Sequence, residues 1–131
     1  MYLERLSLQY FKNYEFAELE FDDKINCFVG NNGSGKTNLL DSIYYLSFCK
    51  SFFNNIDNQN ILHEENVFNI KGIIKIEDKT DTINCSQKRN SKKQFKLNNK
   101  EYSRLADHIG LYHLVMVSPY DSILITEGSE E

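Results

Sequence analysis

Gly30-Asn31-Asn32-Gly33-Ser34-Gly35-Lys36-Thr37 stands between a short apolar run and a helical one. It matches G-x-x-x-x-G-K-[ST] at every fixed position. Phosphate groups need several donors converging on one point. A loop wrapped around them presents successive backbone N–H groups, and glycine, having no Cβ, permits the close approach. A helix starting at the loop adds its N-terminal N–H groups and the positive end of its dipole. Lys36 supplies a mobile point charge for β- and γ-phosphate oxygens, and the Thr37 hydroxyl is a hard oxygen ligand suited to Mg²⁺. Gly30, Asn31, Asn32, Gly33, Ser34, Gly35, Lys36 and Thr37 are therefore the candidate nucleotide-binding residues, with Thr37 the candidate metal ligand. Three of the chain's six glycines fall in this one loop, where the backbone has most use for them.

The motif's confirmation is its context. Upstream, Ile25-Asn26-Cys27-Phe28-Val29 reads as a strand covered on both faces. Downstream, Leu39, Leu40, Ile43, Tyr44 and Leu46 recur at helical spacing through about Cys49. Residues 2–11 read as a strand, and Ala17, Leu19 and Phe21 alternate with Glu18 and Glu20 in a second, with Asn13-Tyr14 as the turn between them. A short helix is predicted around 57–62. Residues 67–77 read as a strand and 82–87 as its partner. Gln94–Leu97 is a short strand leading into an Asn98-Asn99 hairpin turn. A helix over 102–109 is stopped by Gly110, and His113–Val117 reads as a second buried strand. These elements predict an α/β fold of the P-loop NTPase kind. The loop lies between a central strand and its helix, and an antiparallel β subdomain of residues 1–21 and 67–97 flanks it. With only two parallel-type strands, the nucleotide-binding sheet is expected to be incomplete and to expose apolar surface.

The chain has 131 residues, 40% hydrophobic and 26% charged, the composition of one soluble globular segment. No apolar run approaches the ~18 residues of a membrane span. Cys27, Cys49 and Cys85 form no C-x-x-C pair and read as buried free thiols in a reducing cytoplasm. Net charge is -4, which argues against a protein that wraps nucleic acid with its whole surface. Residues 88–100, KRNSKKQFKLNNK, carry six positive charges and no acid, leaving the remainder near -10. Lysines on a hairpin edge discourage strand addition. The same lysines also suit DNA phosphates, which makes Lys88, Arg89, Lys92, Lys93 and Lys96 candidate DNA contacts, with Phe95 or Tyr102 to stack on a base.

Lys12-Asn13-Tyr14, then Ile25 through Thr37 and Asn38-Leu39-Leu40-Asp41-Ser42-Ile43, resemble the head of SMC and ABC-type ATPases. The continuation Ser47-Phe48-Cys49-Lys50-Ser51-Phe52, with Val117-Ser118-Pro119-Tyr120-Asp121 and Glu127-Gly128-Ser129, is more similar to the RecF family of bacterial DNA replication, repair and recombination proteins. The resemblance spans the whole chain and matches the N-terminal part of that family. It implies an ATPase head acting in DNA repair and the SOS response. Such a head binds ATP with Mg²⁺, dimerises around it, and engages gapped or single-stranded DNA with RecO- and RecR-type partners. It also places Lys12 and Asn13 at the nucleotide's α-phosphate and sugar, and Asp121 near a metal-bound water.

The family's catalysis further needs an apolar strand ending in Asp-Glu and a Ser-Gly-Gly-type signature. Neither occurs; Ile73-Ile74-Lys75-Ile76-Glu77-Asp78 is interrupted by lysine and there is no Gly-Gly pair. The chain thus reads as the first part of a longer protein, expected to bind ATP without turning it over. The alternatives are a generic SMC/ABC-type module, a P-loop kinase or a GTPase. A kinase lid needs clustered arginines, whereas Arg5, Arg89 and Arg104 are scattered. Asp107-His108-Ile109-Gly110 fits a GTPase Asp-x-x-Gly by letters, but Asn99-Lys100-Glu101-Tyr102 does not fit Asn-Lys-x-Asp.

Overall fold

The computed structural model describes residues 1–31 and 35–117; Asn32, Gly33 and Ser34 of the loop, and residues 118–131 with Asp121 and Glu127–Ser129, lie outside them. Six strands form one antiparallel sheet: β1 (Tyr2–Phe11), β2 (Tyr14–Glu20), β3 (Val67–Ile76), β4 (Lys79–Lys88), β5 (Gln94–Leu97) and β6 (Lys100–Glu101). Their order is β2-β1-β3-β4-β5-β6. One helix, α1 (Lys36–Phe48), lies on one face, mainly over β3. No helix among the described residues is long and apolar enough to cross a membrane.

Turn chemistry sets the register. Asn98 and Asn99, at φ 51 and 70, make the two-residue turn that joins β5 to β6, where Asn tolerates positive φ best after glycine. β1 and β2 turn at Lys12-Asn13, one residue earlier than predicted, with Phe11 opposite Tyr14. Tyr10 at φ 54 rotates the end of β1, so Phe11 faces the core although it shares parity with exposed Gln9.

Period-2 alternation then sorts the faces. Leu6, Leu8, Phe68, Ile70, Ile83, Cys85 and Phe95 face α1, which returns Leu39, Tyr45, Leu46 and Cys49. The sequence pattern had the helix right but its face partly wrong. Leu40 is exposed and Tyr44 half-buried, while Tyr45 is fully buried among Phe11, Phe68 and Phe95. Cys49 ends the helix in the left-handed conformation, its N–H donating to the Tyr45 carbonyl. The predicted helices at 57–62 and 102–109 are single 3₁₀ turns, Asp57–Asn60 and Leu105–Asp107.

Two expectations fail together. Residues 25–29 and 113–117 form no strand, and both are exposed, Val29 at 91% and Val115 at 88%. A doubly covered strand needs hydrogen-bonding neighbours and a packed layer on each face. Among the described residues nothing supplies them, so Ile25, Val29, Val115 and Val117 stand in solvent, while Phe28 is half-buried against Phe21. Cys27 is exposed for the same reason, whereas Cys49 and Cys85 are buried as predicted. The antiparallel subdomain forms as expected.

Candidate phosphate-binding site

Helix α1 begins immediately after Gly35, which sits at φ 101 as its N-cap. Among the described residues no side chain caps this end, and no acid lies in its first turn. Its leading N–H groups and positive dipole end are therefore left for an anion. Lys36 folds its ammonium back onto the Gly30 carbonyl, closing the loop across its base. Thr37 is exposed on the first turn.

The β1–β2 turn presses on this junction. Tyr14 Oη donates to the Gly35 carbonyl at 2.9 Å, and Asn38 Nδ2 donates to Asn13 Oδ1 at 2.8 Å. A Cβ on Gly35 would lie 2.7 Å from Asn13 Nδ2, so this glycine answers both a positive φ and a close approach. Asn13 is thus brought to the loop.

Lys12 is held differently. Its ammonium pairs with Asp41 Oδ2, whose carboxylate is fully buried on α1. Asp41 also accepts from Ser51 Oγ at 2.5 Å and from the Phe52 N–H at 2.7 Å. One carboxylate therefore joins the turn, the helix and the segment after it. Asp41 and Ser51 were not singled out from sequence; the available signal was an acid inside the apolar run Leu39–Leu46. His63 is exposed and lines an open groove of about 840 Å³ that also includes Lys12, Asn13 and Arg89.

The basic segment divides. Lys93 turns inward, 14% exposed, donating to the Cys49 carbonyl at 2.7 Å and pairing with Asp57 at 3.1 Å. There it stands at the C-terminus of α1, where a cation is favoured. Arg89 donates from Nε and Nη2 to the Glu65 carbonyl. Lys88, Lys92 and Lys96 are exposed. Phe95 is fully buried against Tyr45 and His108, which removes it as a stacking residue. Tyr102 is half-buried against the His108 ring. His108, of the GTPase-like letters, is buried too, its Nε2–H donating to the Leu46 carbonyl at 2.6 Å. That is a structural role, and the Asp107–Gly110 stretch is no phosphate loop.

The sequence profile described as the RecF/RecN/SMC N-terminal domain matches residues 2–118. The chain is 59% identical to the DNA replication and repair protein RecF of Bacteroides fragilis and 58% identical to that of Bacteroides thetaiotaomicron. Each alignment covers 100% of this chain and 36% of the relative, so the chain spans about a third of the length of these relatives. A solved structure of the recombination mediator protein RecF with ATP, in the RecFOR pathway, superposes with a TM-score of 0.88 at 29% identity, over 95% of this chain and 34% of that one. The chain belongs to the RecF/RecN/SMC N-terminal domain family, and it is RecF-like over its whole length.

Proposed function

We propose that this chain is the ATP-binding part of a RecF-like DNA repair and recombination protein. The observation that carries the reading is the start of α1: an uncapped helix N-terminus with no acid in its first turn, entered through Gly35 and overhung by Lys36. Gly30 through Thr37 would cradle the phosphates, with Lys36 on the β/γ oxygens. Asn13, already against Gly35, would reach the nucleotide from the turn, and Lys12, paired with Asp41, would hold that turn in position. Mg²⁺ fits here in that it keeps several of its waters and takes phosphate oxygens, and the exposed Thr37 hydroxyl would serve as a hard oxygen ligand from the protein. When bound, the ion would neutralise phosphate charge. The solved relative with ATP supports the same ligand.

Gapped or single-stranded DNA is the proposed substrate, contacted through Lys88, Lys92 and Lys96, the members of the basic segment that face solvent. ATP-dependent dimerisation and RecO- and RecR-type partners belong to the same proposal for the longer protein, which is placed in the cytoplasm.

The test is nucleotide affinity, with and without Mg²⁺, for wild type, Lys36→Ala and Thr37→Ala. Lys36→Ala should weaken ATP at least tenfold, and Thr37→Ala should abolish the gain from Mg²⁺. Unaltered ATP affinity in Lys36→Ala would overturn the phosphate site.

A further inference from the structure

A glycine at the start of a helix leaves that start free to turn, so something outside the helix must hold it. Gly35 stands at φ 101, a conformation that glycine leaves as easily as it enters. Its carbonyl accepts twice. The Leu39 N–H donates to it at 2.9 Å as the first bond of α1, and the Tyr14 hydroxyl donates to it at 2.9 Å from the first residue of β2. A Cβ on Gly35 would also lie 3.1 Å from Tyr14 Oη, so the phenol rests directly on this residue.

Tyr14 can hold the junction because it is itself held. It stands opposite Phe11 across the β1–β2 turn, and Phe11 is fully buried against Tyr45 and Phe68. The Lys12 N–H donates to the Asn60 carbonyl at 2.8 Å, and the Lys12 ammonium pairs with buried Asp41. Asn38, on the first turn of α1, donates to Asn13 Oδ1. Lys12, Asn13 and Tyr14 thus join the turn to the helix in succession. Of their side-chain bonds, only that of Tyr14 reaches a backbone atom of the loop–helix junction. Burial raises the Tyr14 pKa above the ordinary 10.0, so the hydroxyl keeps its proton and stays a donor through the neutral range.

We propose that Tyr14 is a positioning residue for phosphate: its hydroxyl fixes the Gly35 peptide so that the leading N–H groups of α1 are aimed at a triphosphate before it arrives. The ligand then does not have to order the junction on binding, which removes an entropic cost from its affinity. The proposal rests on the phosphate reading above and adds to it a residue outside the loop that touches no nucleotide.

The experiment measures affinity for Mg²⁺-ATP and for inorganic tripolyphosphate in wild type, Tyr14→Phe, Tyr112→Phe and Lys36→Ala. Tyr14→Phe should weaken both ligands ~5-fold, the worth of one neutral hydrogen bond, because the effect acts on phosphate and not on the base. Tyr112→Phe removes a hydrogen bond of the same kind, to Asp81 of β4, and should bind as wild type. Two further variants separate donation from packing. At position 14, para-aminophenylalanine keeps a donor and should restore affinity, whereas para-methylphenylalanine has similar bulk without a donor and should match Tyr14→Phe. Equal affinity of these two would overturn the proposal. Unaltered affinity in Tyr14→Phe beside a loss in Lys36→Ala would overturn the role of Tyr14 and leave the phosphate site standing. A loss confined to ATP would place Tyr14 at the nucleoside, and an equal loss in Tyr112→Phe would reduce the effect to general stability; either result overturns the proposal. Unaltered affinity in Lys36→Ala would overturn the phosphate site itself.

Discussion

Asp41 is a fully buried carboxylate, and three donors account for it: the Lys12 ammonium, the Ser51 hydroxyl and the Phe52 N–H. Asp41→Asn keeps the shape and removes the charge. It leaves an ammonium that is only 13% exposed without its counter-ion, which costs about 3–5 kcal/mol when a buried pair is broken on one side. Urea unfolding should show that loss. The double variant Lys12→Met/Asp41→Leu should recover part of it, because no lone charge remains. A second residue-scale prediction concerns His108. Its Nε2–H donates to the Leu46 carbonyl, so Nδ1 is the acceptor for Tyr102 Oη at 3.2 Å. Burial holds its pKa below the ordinary 6.5, and the carbonyl only partly opposes this. The unfolded chain therefore takes up the proton first. Stability is full above pH 6.5 and declines as pH falls from there toward the depressed folded value. His108→Gln should flatten the pH 5–7 part of the stability curve while costing about 1 kcal/mol at pH 8 for the lost hydrogen bond. Asp81 belongs to a lower window. Hydrogen bonds from Asn98 and Tyr112 hold its pKa below 3.8, so its contribution is lost only beneath that value.

Helix α1 can lie close to the sheet because β3 has a glycine under it. A Cβ at Gly72 would stand 2.5 Å from Leu46 Cδ1 and 3.3 Å from Leu3 Cδ1. Leu46 is buried and has little room to yield. Gly72→Ala should therefore destabilise by about 1–3 kcal/mol, the ordinary cost of overpacking. Gly72→Ala/Leu46→Ala should cost less than the sum of its singles, since truncating Leu46 makes the room that the new methyl needs. Equilibrium urea unfolding of all three variants measures the coupling, and additive losses would contradict the contact. The hairpin elements were legible beforehand. Asn98-Asn99 announces its positive φ values, and alternation over 67–76 carries through to the core face.

At the scale of the molecule, residues 25–29 and 113–117 expose apolar side chains such as Ile25, Val29, Val115 and Val117, and the chain spans 36% of its RecF relatives. Cleaving ATP needs a group that orients or deprotonates the attacking water, beyond the charge neutralisation that the proposed phosphate loop would provide. No strand ending in Asp-Glu and no Gly-Gly signature occurs in the sequence. Steady-state ATP turnover by the purified chain should therefore be indistinguishable from that of Lys36→Ala. Multiple turnovers that vanish in Lys36→Ala would place a catalytic group inside residues 1–131, with Asp121 the first to test.

The sequence by itself determined what local chemistry encodes: the helix that starts after Gly35, and the alternating strands with their Asn turns. These depend on residues within a few positions of one another. Tertiary structure alone decided three further matters. It paired Lys12 with Asp41, 29 residues away, because a carboxylate on the covered side of α1 takes whichever cation the neighbouring turn delivers. It turned Lys93 inward to the end of the helix while Lys96, three residues later, faces solvent on the opposite side of the sheet. It also left residues 25–29 and 113–117 out of any sheet, since an apolar run becomes a buried strand only where other chain segments hydrogen-bond to its edges and cover its faces.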